Sequence, residues 1–349
     1  MAKINLITRH SGESYGAVMQ TYATCRILQS LGHRVTIINL IERERVQKYF
    51  KLRNILVYTK FINFWIFKWR NYPRRTRLMT AIDVKKIPGA DYTIVGSDQV
   101  WNPQITKGNS MAYFLDFAND SKRMSLASSF GKTMWEEDSE YTAKVKDLLS
   151  KFEAISVRES SGVDICKNTF GVNAECIIDP TIAWGDYTKF IKPRDLKQIG
   201  CFVLKRDNPL FPDLADSLSK SEKLPVKLID YSLGKKYECL KTRQKSPVRW
   251  MNEIHNSRFV ITDSFHGVAF CLLFKKQFFV LCADESKFTR IASLLDKVGL
   301  SERRVKSMED FNNRRESLMK PIDFAKVSGI LQMEKEAYYR FVNTHIVNE

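Results

Sequence analysis

Residues 259–267 combine a strand, a helix start and a histidine in one short stretch. Residues 259–262 form an aromatic and β-branched run that predicts a buried parallel strand. Asp263 and Ser264 favour a turn and a helix N-cap, and the apolar residues from Val268 onward predict the helix itself. His266 lies between them, and an imidazole exchanges protons near neutral pH. Ligands of open α/β sheets bind at such strand ends, and helix N-termini attract anions. The stretch indicates acid–base chemistry on an anionic substrate; the alternative is a capped helix with a structural histidine.

A second polar cluster follows the strand predicted over residues 91–95. This strand runs into Ser97, Asp98 and Gln99, and Trp101 lies in the loop beyond them. Carboxylate and amide side chains suit sugar hydroxyls, and Asp98 can accept a hydroxyl proton as a catalytic base. An aromatic ring such as that of Trp101 can stack on a sugar face. The alternative is that Ser97 and Asp98 only cap the turn that follows.

Two further strand ends carry candidate ligand-binding residues. Residues 3–8 predict a first strand, and the loop after it ends in Tyr15 and Gly16, before a helix over 17–31 and a strand over 35–40. This loop lacks the G-x-G-x-x-G pattern, so dinucleotide binding is not indicated, but Tyr15 can stack on a sugar. Arg158 follows a short strand over 154–157 and can hold a phosphate or carboxylate through two hydrogen bonds. Its alternative is an ion pair with Glu159.

The elements that position these residues predict two α/β domains. The chain has 349 residues, which is long for one core. We expect a Rossmann-like domain over 1–185, a second over 196–323, and a terminal helix over 324–349 that packs near the domain junction. The second domain is predicted from strands near 200–204, 226–230 and 278–281 and from helices over 247–256 and 290–298. Facing strand ends would place a ligand in a cleft between the domains.

Composition narrows the choice of partners and compartment. The net charge of +17 favours anionic partners, whether acidic substrates, membranes or nucleic acids. The seven cysteines are scattered without a C-x-x-C pair, which is typical of free thiols in a reducing cytoplasm and predicts no metal site. The apolar part of the N-terminus is too short for a signal peptide, and no apolar run reaches 18 residues. We therefore expect a cytoplasmic protein.

Residues 43–77 differ from the rest of the chain. They hold eleven basic residues against one acid, with nine aromatic residues interleaved, and they predict one or two helices inserted into the first domain. A basic, aromatic helix can lie on an anionic membrane surface, so we expect peripheral association with the inner face of the plasma membrane. The alternative is a helical insertion whose aromatic side chains pack on the domain. Nucleic acid is not expected, because no recognition module is present.

Six motifs together resemble the polysaccharide pyruvyl transferase family. They span roughly residues 4 to 300 in family order and are Tyr15-Gly16-Ala17 with Gln20 and Tyr22-Ala23, Val95-Gly96-Ser97-Asp98-Gln99-Val100-Trp101-Asn102, Ala127-Ser128-Ser129-Phe130-Gly131, Ser156-Val157-Arg158-Glu159, Asp179-Pro180-Thr181, and Ile261-Thr262-Asp263-Ser264-Phe265-His266-Gly267. The resemblance implies a glycosyltransferase-B-like fold of two Rossmann-like domains with the active site between them. It implies transfer of pyruvate from phosphoenolpyruvate (PEP) to a sugar, giving a ketal on two hydroxyls. Acceptors of the family are capsule, exopolysaccharide or cell-wall glycans, often as lipid-linked precursors, and no cofactor is expected beyond the donor.

The resemblance also assigns roles to particular residues. His266 matches the family histidine and is expected to protonate carbon 3 of PEP, with Asp263 orienting it or a sugar hydroxyl. Arg158 matches a family arginine and is expected to hold the donor's anionic groups. Many members carry a second arginine where this chain has Ser264, so Arg290, aided by Lys275 or Lys276, is the expected replacement. Backbone N–H groups around Phe265 and Gly267 would complete the anion site.

Two other functions compete with this interpretation. A nucleotide-sugar glycosyltransferase of the same fold would bind a UDP- or GDP-sugar in place of PEP. A non-catalytic basic protein that binds a membrane or an acidic polymer would explain the charge, but it leaves the polar strand ends without a purpose.

Overall fold

A computed structural model describes residues 1–10, 14–41, 55–118, 120–205, 208–229, 245–282 and 288–347, and for 55–61 the backbone alone. The chain divides into two compact units. The first unit comprises Met1–Trp184 with Gln332–Glu349, and the second comprises Gly185–Leu331. Each unit is built on a parallel sheet with helices, which is the α/β class that the sequence predicts.

The first unit contains a six-stranded sheet in the described part of the chain, ordered β3-β2-β1-β4-β5-β6. Its strands are β1 Lys3–Ile7, β2 Arg34–Ile37, β3 Arg74–Arg75, β4 Tyr92–Val95, β5 Lys122–Ser125 and β6 Phe152–Ala154. All neighbouring pairs in this sheet are parallel. Strand β4 is buried along its whole length, as expected for an apolar strand covered on both faces. A small parallel pair, β7 Ser156–Val157 and β8 Glu175–Cys176, follows β6.

The order of this sheet reverses between β1 and β4. Strands β2 and β3 are added on one side of β1, and the next strand in the sequence, β4, is added on its other side. The loops that leave β1 and β4 therefore diverge and open a crevice at the carboxyl edge of the sheet. Arg9 follows β1, and Asp98 and Gln99 follow β4, so the sheet brings these side chains to the same crevice.

Helices cover the first sheet, and large aromatic side chains form much of the core below them. Trp101, Phe114, Phe130 and Phe170 are all buried in one apolar cluster. The helices of this unit are α1 Tyr15–Ser30, α2 Ile55–Asn71, α3 Pro103–Thr106, α4 Ser110–Tyr113, α5 Ser139–Leu149, α6 Ser160–Ile165 and α7 Pro180–Trp184. Among the described residues, no helix is both long and apolar enough to cross a membrane.

The second unit contains a five-stranded parallel sheet ordered β10-β9-β11-β12-β13 within its described residues. Its strands are β9 Leu196–Phe202, β10 Val226–Leu228, β11 Ser257–Thr262, β12 Gln277–Leu281 and β13 Arg304–Val305. The order reverses between β9 and β11, so the loops leaving these two strands flank the second crevice. Lys205 lies in the loop after β9, and His266 follows β11.

Two helices of the second unit, α9 and α10, begin at serine caps. Ser246 caps α9 and Ser264 caps α10, each accepting a hydrogen bond from the backbone N–H three residues later. The helices are α8 Leu210–Glu222, α9 Pro247–Asn256, α10 Phe265–Leu273, α11 Thr289–Lys297, α12 Met308–Asn313 and α13 Arg315–Met319. Because α10 and α11 follow the adjacent strands β11 and β12, their N-termini lie at the same edge of the sheet.

The terminal helix α14 runs over Phe324–His345. Its residues to Leu331 group with the second unit and those from Gln332 with the first. Tyr338, Phe341 and Val342 on its second half are buried. Burial raises the pKa of the Tyr338 hydroxyl well above the ordinary value of a tyrosine, and the nearby Asp179 carboxylate acts in the same direction.

Part of the basic insertion expected over 43–77 lies outside the described residues, namely 43–54. The described remainder is α2 and the edge strand β3. The rings of Phe64 and Phe67 on α2 pack against Tyr15 and Tyr22 of α1, with ring centroids 5.0 and 6.0 Å apart. The described helix therefore packs one aromatic face on the domain, as the alternative interpretation expects, while other side chains remain at the surface.

Candidate functional site

A buried ion-pair network closes the carboxyl edge of the first sheet. The guanidinium of Arg158 donates from Nε to Glu159 Oε1 at 3.1 Å and from Nη1 to Asp179 Oδ2 at 2.8 Å. Asp179 also accepts bonds from the Ser97 hydroxyl and from the backbone and hydroxyl of Thr181. Although burial opposes it, the carboxylates of Glu159 and Asp179 raise the pKa of Arg158. The arginine is held charged within the protein.

This geometry corrects the prediction that Arg158 clamps the donor. Its side chain is only 1% exposed, and the facing carboxylates of Glu159 and Asp179 are equally buried. With Asp98 and Arg9 included, three carboxylates face two guanidinium groups at this strand end. Among the ion pairs described here, these carboxylates weaken the attraction of the strand end for a phosphate or carboxylate. Of the interpretations open from the sequence, the structure shows the ion pair of Arg158 with Glu159.

Asp98 occupies a conformation that non-glycine residues rarely adopt. Its φ is +78°, in the left-handed region that costs energy for most side chains. The turn is fixed by bonds from Val100 N and Ser129 N to the Asp98 carbonyl, at 2.7 and 3.1 Å. Its carboxylate accepts a bond from Gln99 N and lies 4.0 Å from Arg9 Nη1. The backbone thus turns Asp98 toward the crevice between the loops of β1 and β4.

The Gln99 side chain is half-buried beside Asp98. It lies over Gly131, where φ is +67° and where an added Cβ would overlap the Gln99 amide. Asn102 Nδ2 donates to Gln99 Oε1 at 3.4 Å. Gly131 therefore makes room for the Gln99 side chain.

Three predicted sugar-binding residues of the first unit are core residues instead. Trp101 is 0% exposed, donates from Nε1 to the Tyr113 carbonyl and stacks on Phe114 with ring centroids 5.6 Å apart. Tyr15 is buried against Phe64, and Ser97 is fully buried on Asp179. Rings and hydroxyls that are used for packing cannot reach a sugar. Gly16, also buried, lies in the first turn of α1.

His10 is a buried histidine beside this crevice that the sequence interpretation did not single out. Its Nδ1–H donates to the Thr8 carbonyl at 2.9 Å, and Nε2 lies 3.1 Å from Asn39 Oδ1. Burial lowers the pKa of His10 to about 4, and the nearby charge of Lys68 acts in the same direction. His10 is therefore a neutral, structural group at physiological pH.

At the second crevice, Asp263 joins the two loops that flank it. Its carboxylate oxygens accept bonds from Leu204 N at 2.6 Å and Lys205 N at 2.8 Å. Burial raises the pKa of Asp263, while these two N–H groups and the charge of Lys205 oppose that rise. The sequence assigned Asp263 to catalysis through His266 or a sugar hydroxyl. The bonds to the β9 loop give it a structural task, which is to hold the exposed Lys205 near the start of α10.

His266 lies in the first turn of α10 and is 8% exposed. Its ring meets Phe265 edge to face, with centroids 5.2 Å apart at 84°. Ser264 is the N-cap and accepts the Gly267 N–H at 3.4 Å, while Ser264 N donates to Thr262 Oγ1. A Cβ on Gly267 would collide with Thr262 Oγ1, so this glycine lets the helix start approach β11. The predicted anion-binding role of the Gly267 N–H is corrected, since Ser264 takes that bond.

Of the cations predicted to serve the donor, Arg290 reaches the right edge and the two lysines do not. Arg290 is half-buried in the first turn of α11, and α11 packs against α10. Lys275 and Lys276 follow the C-terminus of α10, about 13 Å along the helix from His266. Their distance from His266 corrects the prediction that Lys275 or Lys276 aids Arg290 in binding the donor. Lys205 is the cation that sequence reasoning missed, although its place after strand β9 follows the same strand-end rule that selected His266.

The described residues contain no group of three or more His, Cys, Asp or Glu side chains arranged to hold a metal ion.

Two parallel sheets, each with a reversal of strand order, define a glycosyltransferase-B-like fold of two Rossmann-like units. Solved structures that are similar to the chain share it. S. aureus MnaA in a structure with UDP aligns with a TM-score of 0.57 at 10% identity, covering 100% of this chain and 99% of that one. A putative UDP-N-acetylglucosamine 2-epimerase from Listeria monocytogenes gives 0.55 at 10%, covering 95% and 90%. The Methanocaldococcus jannaschii UDP-GlcNAc 2-epimerase with UDP-GlcNAc and UDP gives 0.53 at 11%, covering 95% and 99%.

The chain belongs to the polysaccharide pyruvyl transferase family, whose model matches residues 15–281. The match includes Asp98 and Gln99 of the first crevice and Lys205 and His266 of the second, and it ends at the last residue of β12. No curated protein matches the chain. The family assignment makes the chain a transferase of polysaccharide biosynthesis and confirms the resemblance drawn from the six motifs.

Proposed function

We propose that this protein transfers the pyruvyl group of PEP to a hydroxyl pair of a bacterial capsule, exopolysaccharide or cell-wall glycan precursor. The observation that carries the proposal is the second crevice, where a histidine at a helix start lies at the same sheet edge as two cations. Lys205 follows β9, His266 follows β11, and Arg290 begins α11 after β12. PEP carries a phosphate and a carboxylate, and this edge offers positive charge and a proton donor to them.

The donor reaction requires one proton at carbon 3 of PEP and two new bonds at carbon 2. His266 donates the proton to carbon 3 while the first sugar hydroxyl attacks carbon 2. The second hydroxyl then displaces phosphate from carbon 2 and closes the ketal. Of the two hydroxyl protons released, one returns through solvent to His266, which lost its proton to carbon 3, and the other leaves with the phosphate. A positioned general acid of this kind contributes about 10²- to 10⁴-fold to rate.

The cations have a distinct task in this scheme. Lys205 is held by the bonds of Asp263 to the loop backbone, and Arg290 by the first turn of α11. We assign Lys205 and Arg290 to the phosphate and carboxylate of PEP, in place of Arg158. The N-terminus of α10 adds partial positive charge at the same place.

The acceptor is assigned to the first crevice. Asp98 and the half-buried Gln99 lie there, and the surrounding carboxylates discourage an anionic donor but suit neutral hydroxyls. Asp98 is proposed to accept a hydroxyl proton, with Gln99 orienting the ring. No cofactor is required by this chemistry.

A thermal-shift experiment tests the donor directly, because a ligand that binds the folded state raises its melting temperature. PEP is compared with UDP-N-acetylglucosamine, UDP-glucose and GDP-mannose, and inorganic phosphate and pyruvate serve as controls. The proposal expects stabilisation by PEP that neither control reproduces. Turnover is then followed as phosphate released from PEP in the presence of methyl glycosides with adjacent free hydroxyls.

If the protein is instead a nucleotide-sugar glycosyltransferase, the opposite thermal-shift result is expected. If a UDP- or GDP-sugar stabilises the protein and PEP at millimolar concentration does not, the pyruvyl transfer proposed here is wrong. The likeness of the fold to S. aureus MnaA and to a UDP-GlcNAc 2-epimerase, both solved with UDP, does not decide between the two functions, because at 10% or 11% identity it concerns the fold alone.

A further inference from the structure

Helix α2 presents two opposite faces. Phe64 and Phe67 are buried against α1, whereas Ile62, Trp65 and Trp69 are exposed. The exposed three are spaced i, i+3 and i+7, so they lie on one side of the helix. Trp65 and Trp69 are 57% and 63% exposed, and their rings are nearly parallel with centroids 6.3 Å apart. We name Ile62, Trp65 and Trp69 the tryptophan face.

Basic residues lie close to the tryptophan face along the chain. The last turn of α2 carries Lys68 and Arg70, and the chain continues through the exposed Arg74 and Arg77. From residue 62 to residue 86 the sequence has seven basic residues and one acid, Asp83. The carboxylate of Asp83 is occupied by Thr80, whose backbone and hydroxyl both donate to it. An apolar strip bordered by cations is complementary to an anionic lipid surface, with rings at the headgroup level and cations beside the phosphates.

We propose that the tryptophan face is a membrane-docking surface that binds anionic bilayers, with Arg70, Arg74 and Arg77 supplying the electrostatic part. This function is independent of the pyruvyl transfer proposed above, because α2 carries none of the residues assigned to it. A sugar polymer is a less suitable occupant, because Ile62 cannot stack on a sugar and a neutral glycan does not use the arginines. Lys68 is left out of the charge set because its charge acts on the buried His10.

Sedimentation with vesicles tests the proposal on the full-length protein. Wild type is mixed at low ionic strength with vesicles of phosphatidylcholine containing phosphatidylserine, and with phosphatidylcholine alone. We expect binding to the anionic vesicles, loss of binding on addition of salt, and at least tenfold weaker binding to the neutral vesicles. Three cations near an anionic surface correspond to about 100-fold in affinity, since each contributes about 1 kcal/mol before screening.

Matched variants separate the two parts of the surface. Arg70→Gln, Arg74→Gln and Arg77→Gln together should weaken anionic binding at least tenfold. The control removes equal charge from exposed lysines elsewhere, as Lys144→Gln, Lys146→Gln and Lys167→Gln, and should change binding less than threefold. Trp65→Ala with Trp69→Ala should abolish the blue shift of tryptophan fluorescence that vesicles induce in the wild type. The control for this pair is Met134→Ala with Met333→Ala, two exposed apolar side chains outside α2.

Three results would overturn the proposal. They are failure of the wild type to sediment with anionic vesicles at low salt, equal losses in the arginine and lysine sets, and an unchanged blue shift in the double tryptophan variant. A wild type that instead forms dimers lost on Trp65→Ala and Trp69→Ala would assign the face to a second copy of this chain. Circular dichroism and melting temperature confirm that each variant is folded before it is scored.

Discussion

The two crevices share one plan and differ in charge. Each lies where the order of a parallel sheet reverses, and each collects polar residues from two adjacent strand ends. In the first crevice, the guanidinium of Arg158 forms ion pairs with the buried carboxylates of Glu159 and Asp179. In the second, the carboxylate of Asp263 binds backbone N–H groups and leaves the exposed Lys205 beside it. On this difference rests our proposal that one edge binds neutral hydroxyls and the other binds anions.

The two histidines make the same contrast. His10 and His266 both follow a strand of a parallel sheet. The ring nitrogens of His10 lie against Thr8 and Asn39 in the interior, and its pKa is lowered to about 4. His266 lies in the first turn of α10, at the sheet edge where Lys205 and Arg290 lie. A histidine near a strand end is thus informative only once its surroundings are known.

The largest expected effect concerns His266. His266→Ala should lower kcat for phosphate release from PEP by about 10²- to 10⁴-fold, because the general acid for carbon 3 is lost. His10→Gln is the matched control and should keep at least half of the wild-type kcat at pH 7.5. Near-normal turnover in a folded His266→Ala protein would show that His266 is not the general acid. The two histidines would then not differ in function.

Arg158 should affect stability rather than donor binding. Arg158→Met keeps the length of the side chain but leaves two buried carboxylates without their cation, which costs about 3–5 kcal/mol. Urea denaturation followed by tryptophan fluorescence measures the loss. Lys144→Met is the control, since its pair with Glu140 is exposed and screened by solvent, so its loss should leave the urea midpoint nearly unchanged. A stable Arg158→Met protein with weakened PEP binding would restore the arginine as a donor clamp.

Acid should destabilise the first unit through His10. Its pKa is about 4 in the folded state and 6.5 when exposed, so the unfolded state binds the extra proton between these values. The free energy of unfolding therefore falls as pH drops from about 6.5 to about 4, by up to about 3 kcal/mol. His10→Phe should remove this part of the pH dependence. The check is the difference in urea midpoint between wild type and variant at pH 7 and pH 4.5, and a constant difference would contradict the assignment.

The smallest expected effect is on the acceptor. Asp98→Asn keeps a residue that tolerates positive φ, so the turn should survive. Loss of the charged hydrogen bond, worth about 1.5–3 kcal/mol, should raise the acceptor KM about tenfold or more while the PEP KM stays constant. Kinetics with both substrates varied separate the two. A change confined to PEP would reverse the assignment of the crevices.

Strands and helices were largely predictable, because their signals are local. The strand over residues 91–95 and the helices over 247–256 and 324–347 are found at Tyr92–Val95, Pro247–Asn256 and Phe324–His345. Apolar runs and caps encode these elements within a few residues of themselves. The same strand-end rule placed Asp98, Gln99 and His266 at the edges where the sheets have them.

Side-chain partners were not predictable, because they depend on residues distant in sequence. Nothing near Arg158 shows that Asp179, 21 residues away, binds its guanidinium. Trp101 follows a strand end, where a ligand-stacking residue is expected. In the structure its ring stacks on Phe114 and donates a hydrogen bond to the Tyr113 carbonyl, so it is a core residue. Lys205 gains its importance only when Asp263, 58 residues later, binds its backbone. Whether a polar or aromatic group faces ligand or core is decided by tertiary packing.

The central claim is that the anionic donor binds to the second unit and not at Arg158. The most direct measurement is the Kd of PEP by isothermal titration calorimetry for Lys205→Gln, Arg290→Gln and Asp98→Asn. The first two should each weaken PEP binding about tenfold or more, since each removes a charge-assisted hydrogen bond. Asp98→Asn should leave the Kd within twofold of the wild type. Unchanged affinity in both cation variants, or a large change in Asp98→Asn alone, would contradict the account.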